Sequence, residues 1–146
     1  MKLLRLAAGV QWTVCAVFSH NDEDCPLLDF IEGLEERVGN QVLSDLQQYV
    51  PETESSLWAR TEFSKALSSS NGILEFRWPK GRGGTPRVLW FYDANRVVVC
   101  CHGVNKKGSM PATEIRRAEE IKRLYRMAKD AGRIEIVDFS DLDNDQ

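Results

Sequence analysis

Basic side chains cluster in one stretch of the sequence, at or near the ends of three predicted strands. The set comprises Arg77, Arg82, Arg87, His102, Lys106 and Lys107. Arginine presents a planar fork of donors that fits a phosphate, and lysine presents a compact charge. Two arginines on adjacent strands repel each other, which favours an anion between them. The stretch therefore indicates a phosphate or nucleic-acid face, with ordinary solvation of strand ends as the alternative.

The charge of the chain is strongly segregated, although its sum is only -3. Residues 1–65 carry a net charge of -6, residues 66–133 carry +8, and residues 134–146 carry -5. A basic segment of this size attracts phosphate while the whole protein remains acidic. The alternative is a solvated helix face, and the basic helix predicted after residue 111 explains part of the charge.

The four cysteines do not have the spacing of a metal site. The residues Cys15, Cys25, Cys100 and Cys101 include no Cys-x-x-Cys pair. Consecutive strand residues point to opposite faces, so Cys100 and Cys101 are poorly placed to bind one ion, and Cys100 is expected to share a face with His102. We therefore expect buried free thiols, no metal ion and no other cofactor.

The sequence predicts a cytoplasmic protein. The apolar start of the chain looks like a signal peptide, but Arg5 interrupts it and the bulky Val14 precedes Cys15. No apolar run approaches the roughly 20 residues of a membrane-spanning helix. Neither secretion nor membrane insertion is expected.

Hydrophobic periodicity predicts the elements that position the basic side chains. Strands are predicted at 11–18, 73–78, 86–92 and 96–104, and helices at 26–38, 42–50 and 112–131. The apolar stripe of the last helix includes Leu124 and Tyr125. The predicted fold is α+β, with an N-terminal helical hairpin and a C-terminal helix packed on a small, mostly antiparallel sheet.

A single domain is predicted over residues 1–133. Residues 134–146 form an acidic C-terminal extension, in which 134–139 would add one short strand before a frayed end. The chain shows no internal repeat and no second domain.

Residues 72–126 carry an ordered series of motifs. An E-x-R strand holds Glu75 and Arg77, an R-V-L strand begins at Arg87, and a histidine–glycine segment followed by two lysines begins at His102. The next helix is entered through Pro111, Glu114, Ile115 and Ala118. In this order the motifs resemble the HigB-like, phage-derived branch of the RelE/ParE toxin superfamily. The chain departs from the pattern at Val104, where that branch usually has phenylalanine, and in a shorter linker before Pro111.

This resemblance implies a RelE-like fold and the toxin of a type II toxin–antitoxin system. The implied activity is metal-independent endoribonuclease cleavage of messenger RNA, typically on the translating ribosome. The implied partners are a helix-turn-helix antitoxin, messenger RNA and the ribosome, and no membrane. Two alternatives are a ParE-like inhibitor of gyrase and an inactive toxin fold retained as a binding protein.

The resemblance also gives the basic residues roles. We expect Arg77 and Arg87 to bind the phosphate, and Lys106 or Lys107 to act as a base or as a charge clamp. His102 is either an acid or a structural hydrogen-bonding residue. The candidates for RNA binding are Arg82 and Tyr125, with packing in the core as the alternative for Tyr125.

Overall fold

The computed structural model describes residues 1–67, 71–78 and 84–142, so the predicted RNA-binding residue Arg82 lies outside the described residues. The strands are β1 (Lys2–Ala8), β2 (Thr13–Val17), β3 (Ser64–Ala66), β4 (Leu74–Arg77), β5 (Thr85–Asp93), β6 (Val97–Lys106) and β7 (Glu135–Asp138). The helices are α1 (Pro26–Glu32), α2 (Glu36–Ser44), α3 (Ser55–Arg60), α4 (Ala112–Asp130) and α5 (Phe139–Leu142). The described helices are all too short or too polar to cross a membrane.

Within the described part of the chain, seven strands form one mixed sheet in the order β3-β4-β5-β6-β2-β1-β7. The neighbours β2–β6 and β1–β7 are parallel, and the other pairs are antiparallel. The predicted RelE-like fold with a small, mostly antiparallel sheet is therefore wrong. The protein is α+β, but its sheet is larger and is extended by parallel pairing.

The first strand is absent from the sequence prediction because its composition is unlike that of most strands. Strand β1 reads KLLRLAA, and leucine and alanine favour helices over strands. It lies between β2 and β7, with Leu4 and Leu6 in one core cluster and Leu3 in the other. A strand covered on both faces has no clear alternation of polar and apolar residues.

The helical hairpin has different boundaries from those predicted. The break between α1 and α2 lies at residues 33–35, and Gly39, which was expected to separate the helices, lies inside α2. A Cβ atom at Gly39 would lie 2.7 Å from the carbonyl oxygen of Ile31. This glycine therefore allows α2 to approach α1 closely and does not end a helix. Beyond α2 the chain continues as a π-helical turn (Asp45–Tyr49) and a 3-10 turn (Val50–Glu52).

The sheet separates two hydrophobic clusters. On one face, helices α1 to α3 cover an aromatic core in which Trp58 contacts Phe76 and Trp90. On the other face, α4 contributes Ala118 and Tyr125 to a smaller cluster. Sheet residues that face α4 are therefore the ones that a site on that side can use.

A β-bulge in β6 decides which side chains face α4. His102 pairs with Leu89, but the next pair is Cys100 with Trp90, so Cys101 is an extra residue. Cys101 belongs to the core cluster beneath α4 and His102 bonds to that helix, whereas Cys100 belongs to the opposite cluster. The prediction that Cys100 and His102 share a face is wrong. All four cysteines are free and buried, as the sequence predicts.

Gly103 lies where Phe30 of α1 packs on β6. A Cβ atom at this position would lie 2.0 Å from Cδ2 of Phe30. The absence of a side chain therefore lets the ring pack directly on the backbone of β6.

We expect Gly103→Ala to lower the free energy of unfolding by about 1–3 kcal/mol, because the ring of Phe30 must move out of a packed core. Gly33→Ala is the matched control, since a Cβ atom there meets its nearest neighbour at an ordinary 3.5 Å. Urea denaturation of both variants provides the measurement. Equal stabilities would show that α1 does not depend on this contact.

Candidate functional site

The strand register brings most of the predicted basic residues to one end of the sheet. Arg77 on β4 pairs with Arg87 on β5, and Arg87 pairs with Val104 on β6. Lys106 pairs with Thr85 at the end of β6. Because alternate strand residues share a face, His102 and Lys106 lie on the same face of β6 as Val104. We call Arg77, Arg87, Lys106 and Lys107 the basic cluster.

A buried carboxylate lies between the two arginines of the basic cluster. Glu75 Oε1 is 3.8 Å from Arg77 Nε, and Glu75 Oε2 is 3.7 Å from Arg87 Nε. These distances are too long for hydrogen bonds, so the attraction is mainly Coulombic. Among the described residues, Glu75 Oε2 and both Nε atoms have no hydrogen-bond partner. The carboxylate therefore offsets the repulsion between the arginines without saturating their donors.

Arg87 is more deeply buried than predicted. It was expected at an exposed strand end, but only 5% of its surface is exposed. Arg87 lies on β5 opposite Arg77 of β4 and beside Glu75, and these neighbours explain its burial. Arg77 is partly exposed, so an anion that approaches the sheet meets Arg77 before Arg87.

The two lysines of the basic cluster are exposed. Lys106 is the last residue of β6, and Lys107 follows it directly. Neither makes an ion pair with a carboxylate in the described ranges. Both positive charges are therefore free to meet an anion at this end of the sheet.

His102 is buried and bonded to α4. Its Nε2 lies 2.9 Å from Oε2 of Glu114, and the residue is only 2% exposed. Burial, together with the positive charge of Arg117, lowers the pKa of His102, and the opposing effect of Glu114 is smaller. The neutral imidazole then donates its Nε2 proton to Glu114. Nδ1 has no hydrogen-bond partner in the described part of the chain. In this structure the residue has the structural role, and an acid role stays a prediction.

Tyr125 does not join the basic cluster. Its hydroxyl donates to Asp93, which also accepts from Lys129 at 3.1 Å. Its ring packs against Phe91 at a centroid distance of 5.3 Å. The pKa of the hydroxyl is raised, mainly by burial and to a smaller extent by the hydrogen bond to Asp93. The contacts of Tyr125 are those of the stated alternative, packing in the core. An RNA-binding role for Tyr125 stays a prediction.

Sequence reasoning gave no role to two acidic residues of this site. The role of Glu75 as a partner of Arg77 could have been inferred from the sequence, because the two residues are two positions apart in a strand and so share a face. The partnership of Glu114 with His102 depends on how α4 crosses the sheet, and local sequence does not encode that crossing. Both carboxylates hold positively charged or polar groups in place.

The cluster has the properties of an anion-binding site. Two exposed ammonium groups and a partly exposed guanidinium lie at the same end of the sheet as a buried guanidinium, and these groups can stabilise negative charge on a phosphate. In the described ranges, no three histidine, cysteine, aspartate or glutamate side chains lie together so as to hold a metal ion.

A family model described as phage-derived protein Gp49-like (DUF891) matches residues 29–125, about two thirds of the chain. The matched residues contain β3 to β6 and most of α4, and therefore the whole basic cluster. No curated protein matches the chain.

We expect Arg87→Ala to destabilise the protein by about 3–5 kcal/mol, because it leaves the Glu75 carboxylate buried with one partner fewer. Lys106→Ala removes an exposed charge of the same cluster and should change stability by less than about 0.5 kcal/mol. Chemical denaturation at neutral pH measures both. If the double variant Glu75→Gln/Arg87→Ala is no more stable than Arg87→Ala, the unpaired carboxylate is not the cause of the loss.

The lowered pKa of His102 gives a pH dependence of stability with a definite sign. An unfolded histidine takes up its proton near pH 6.5, and the folded imidazole does so only at lower pH. Protonation between these two values favours the unfolded state, so stability should fall as the pH decreases below about 6.5. His102→Gln should lose this part of the dependence, and the exposed His20 is retained in both proteins. The free energy of unfolding of both proteins is measured between pH 7.5 and roughly pH 5. A difference between parent and variant that does not change with pH would contradict the assignment.

Proposed function

The chain belongs to the Gp49-like family of phage-derived proteins, and on that basis we propose that it is the toxin of a toxin–antitoxin system, acting as an endoribonuclease on messenger RNA. The family is associated with toxin–antitoxin systems. The resemblance of residues 72–126 to HigB-like toxins supports the narrower assignment. The observation that carries the proposal is the convergence of four cationic side chains on one end of the sheet.

Cleavage of RNA by this route needs a base, an acid and positive charge at the phosphate. A base removes the proton of a 2′-hydroxyl, and the resulting oxygen attacks the adjacent phosphorus. The bond from phosphorus to the 5′ oxygen then breaks, and an acid protonates the leaving oxygen. The products are a 2′,3′-cyclic phosphate and a free 5′-hydroxyl, and no metal ion is required.

The basic cluster supplies the positive charge that this reaction needs. We assign Arg77 and Arg87 to the phosphate oxygens, where negative charge increases in the transition state. Lys106 or Lys107 acts as the base or clamps the charge from the solvent side. Glu75 holds the two guanidinium groups close together before the substrate arrives.

His102 fits the role of the acid only after a rearrangement. Its Nε2 is bonded to Glu114 and its ring is shielded from solvent, so substrate binding would have to move α4 or the end of β6. The alternative is that the imidazole joins α4 to the sheet and takes no part in proton transfer. Under that alternative, bound water protonates the leaving oxygen.

The proposed partners follow from the same charge distribution. A helix-turn-helix antitoxin with acidic residues would neutralise the basic segment, and the ribosome would present the messenger RNA. Such a complex would repress its own operon through the antitoxin. The proposed setting is the cytoplasm, where messenger RNA is translated.

Expression of the chain without an antitoxin is expected to arrest growth and to leave new 5′ ends inside translated reading frames. The double variant Lys106→Ala/Lys107→Ala should lower cleavage by about a hundredfold or more, because it removes charge from the site of the developing oxyanion. Mapping of messenger RNA ends and an assay with purified RNA provide the measurements. Arg37→Ala is the matched control, since it removes an exposed charge from α2 on the opposite face of the sheet.

Three results would contradict the proposal in different ways. Growth arrest with intact messenger RNA and accumulated gyrase–DNA lesions would support the ParE-like alternative. Normal growth, together with a folded protein, would support an inactive binding protein. Equal cleavage by the double lysine variant and the parent would remove Lys106 and Lys107 from the mechanism.

A further inference from the structure

An apolar groove runs along one flank of α4. It has a volume of about 720 Å³ and lies between α4 and the ends of β1 and β2. Its apolar lining includes Met1, Val17, Phe18, Ile121, Leu124 and Met127. This flank of the helix is distinct from the stripe of Ala118 and Tyr125 that packs on the sheet.

Two large apolar residues of this groove are exposed. Leu124 was predicted to belong to the buried stripe of the helix, but 42% of its surface is exposed. Met127 is exposed by 57%. Adjacent exposed apolar side chains that line a groove are typical of a contact surface, whereas single ones are not.

The rim of the groove carries unpaired positive charge. Lys2, Arg117 and Arg133 line it, and none of the three forms an ion pair with a carboxylate in the described ranges. Of the two acids on the rim, Glu120 is paired with Arg123 and Asp22 has no ion pair. Among the described residues, the three unpaired cations outnumber the one unpaired acid, so the net unpaired charge of the rim is positive. A second copy of the chain would bring the same cations to the groove, which disfavours self-association through it.

The length and floor of the groove fit a helix. Its α4 side extends from Arg117 to Ala131 along one flank, which corresponds to about 20 Å of helix. A helical flank with gaps between successive side chains accepts the ridges of another helix. An amphipathic helix of about 14 residues would cover this length.

We propose that this groove is the docking site for an amphipathic α-helix of a partner protein, with apolar residues on one face and acidic residues beside it. The apolar face fills the space above Leu124 and Met127, and the acidic residues meet the cations of the rim. The groove does not include Arg77, Arg87, Lys106 or Lys107. The inference rests on the proposed function only for the identity of the partner as an antitoxin.

Binding of a defined peptide tests the proposal. The probe is a fluorescently labelled peptide of about 18 residues, with leucines at helical spacing and glutamates at the flanking positions. Fluorescence anisotropy is expected to show binding that weakens when salt is raised. Leu124→Asp and Met127→Asp should each lower the affinity about tenfold or more, because both place a charge under the apolar face of the peptide.

Matched variants distinguish binding in the groove from nonspecific binding to exposed apolar residues. Ile136→Asp is the control, because Ile136 is exposed by 43%, close to the value for Leu124, but lies outside the groove. Arg133→Glu should weaken binding of the glutamate peptide and strengthen binding of a peptide with lysines in place of glutamates. Circular dichroism establishes that each variant is folded.

The proposal is overturned if the glutamate peptide does not bind, if Leu124→Asp and Ile136→Asp bind it equally, or if the lysine peptide binds the parent as tightly. RNA cleavage by the same preparations is measured separately. Binding without cleavage contradicts the proposed function alone, and cleavage without binding contradicts this inference alone.

Discussion

Two arginines lie directly opposite each other on β4 and β5 because a buried carboxylate, that of Glu75, lies between their charges. Without it, Arg87 would be a nearly buried cation that faces a second cation, an arrangement that desolvation and repulsion both oppose. The carboxylate is nevertheless too far away to occupy the Nε donors. The protein thus concentrates positive charge at the end of a sheet and leaves the Nε donors of both arginines without a hydrogen bond to any described residue.

Parts of this site could be predicted from the sequence because strand alternation is a local rule. It places Glu75 beside Arg77, and it places Lys106 two residues beyond Val104 on one face. The burial of Arg87 and the bond between His102 and Glu114 could not be predicted, because both depend on which elements cover the strand ends. The bulge at Cys101 could not be predicted either. One extra residue moves every earlier side chain of β6 to the opposite face of the sheet from the one that regular alternation predicts.

The error in the predicted fold has an identifiable source. Strands β3 to β6 are antiparallel neighbours and lie inside residues 29–125, which the family model matches. Strands β1, β2 and β7 lie outside those residues and extend the sheet through the parallel pair β2–β6. Hairpins with short turns are visible in a sequence, whereas a parallel pair between distant segments leaves no local signal. The apolar residues of β1 could be recognised as buried, but not as a strand.

The position of β1 has a consequence for the order in which the chain can fold. Its partner β7 is distant in sequence, and an ion pair joins the two strands through Arg5 and Asp138, which are 133 residues apart. During synthesis, β1 emerges before β7 and keeps one edge unpaired until β7 has also left the ribosome. Such a distant pairing closes late, because loop-closure entropy opposes it until the intervening sheet exists. A nascent chain that already carries the complete basic cluster therefore lacks one edge strand of its sheet until residues 135–138 have followed.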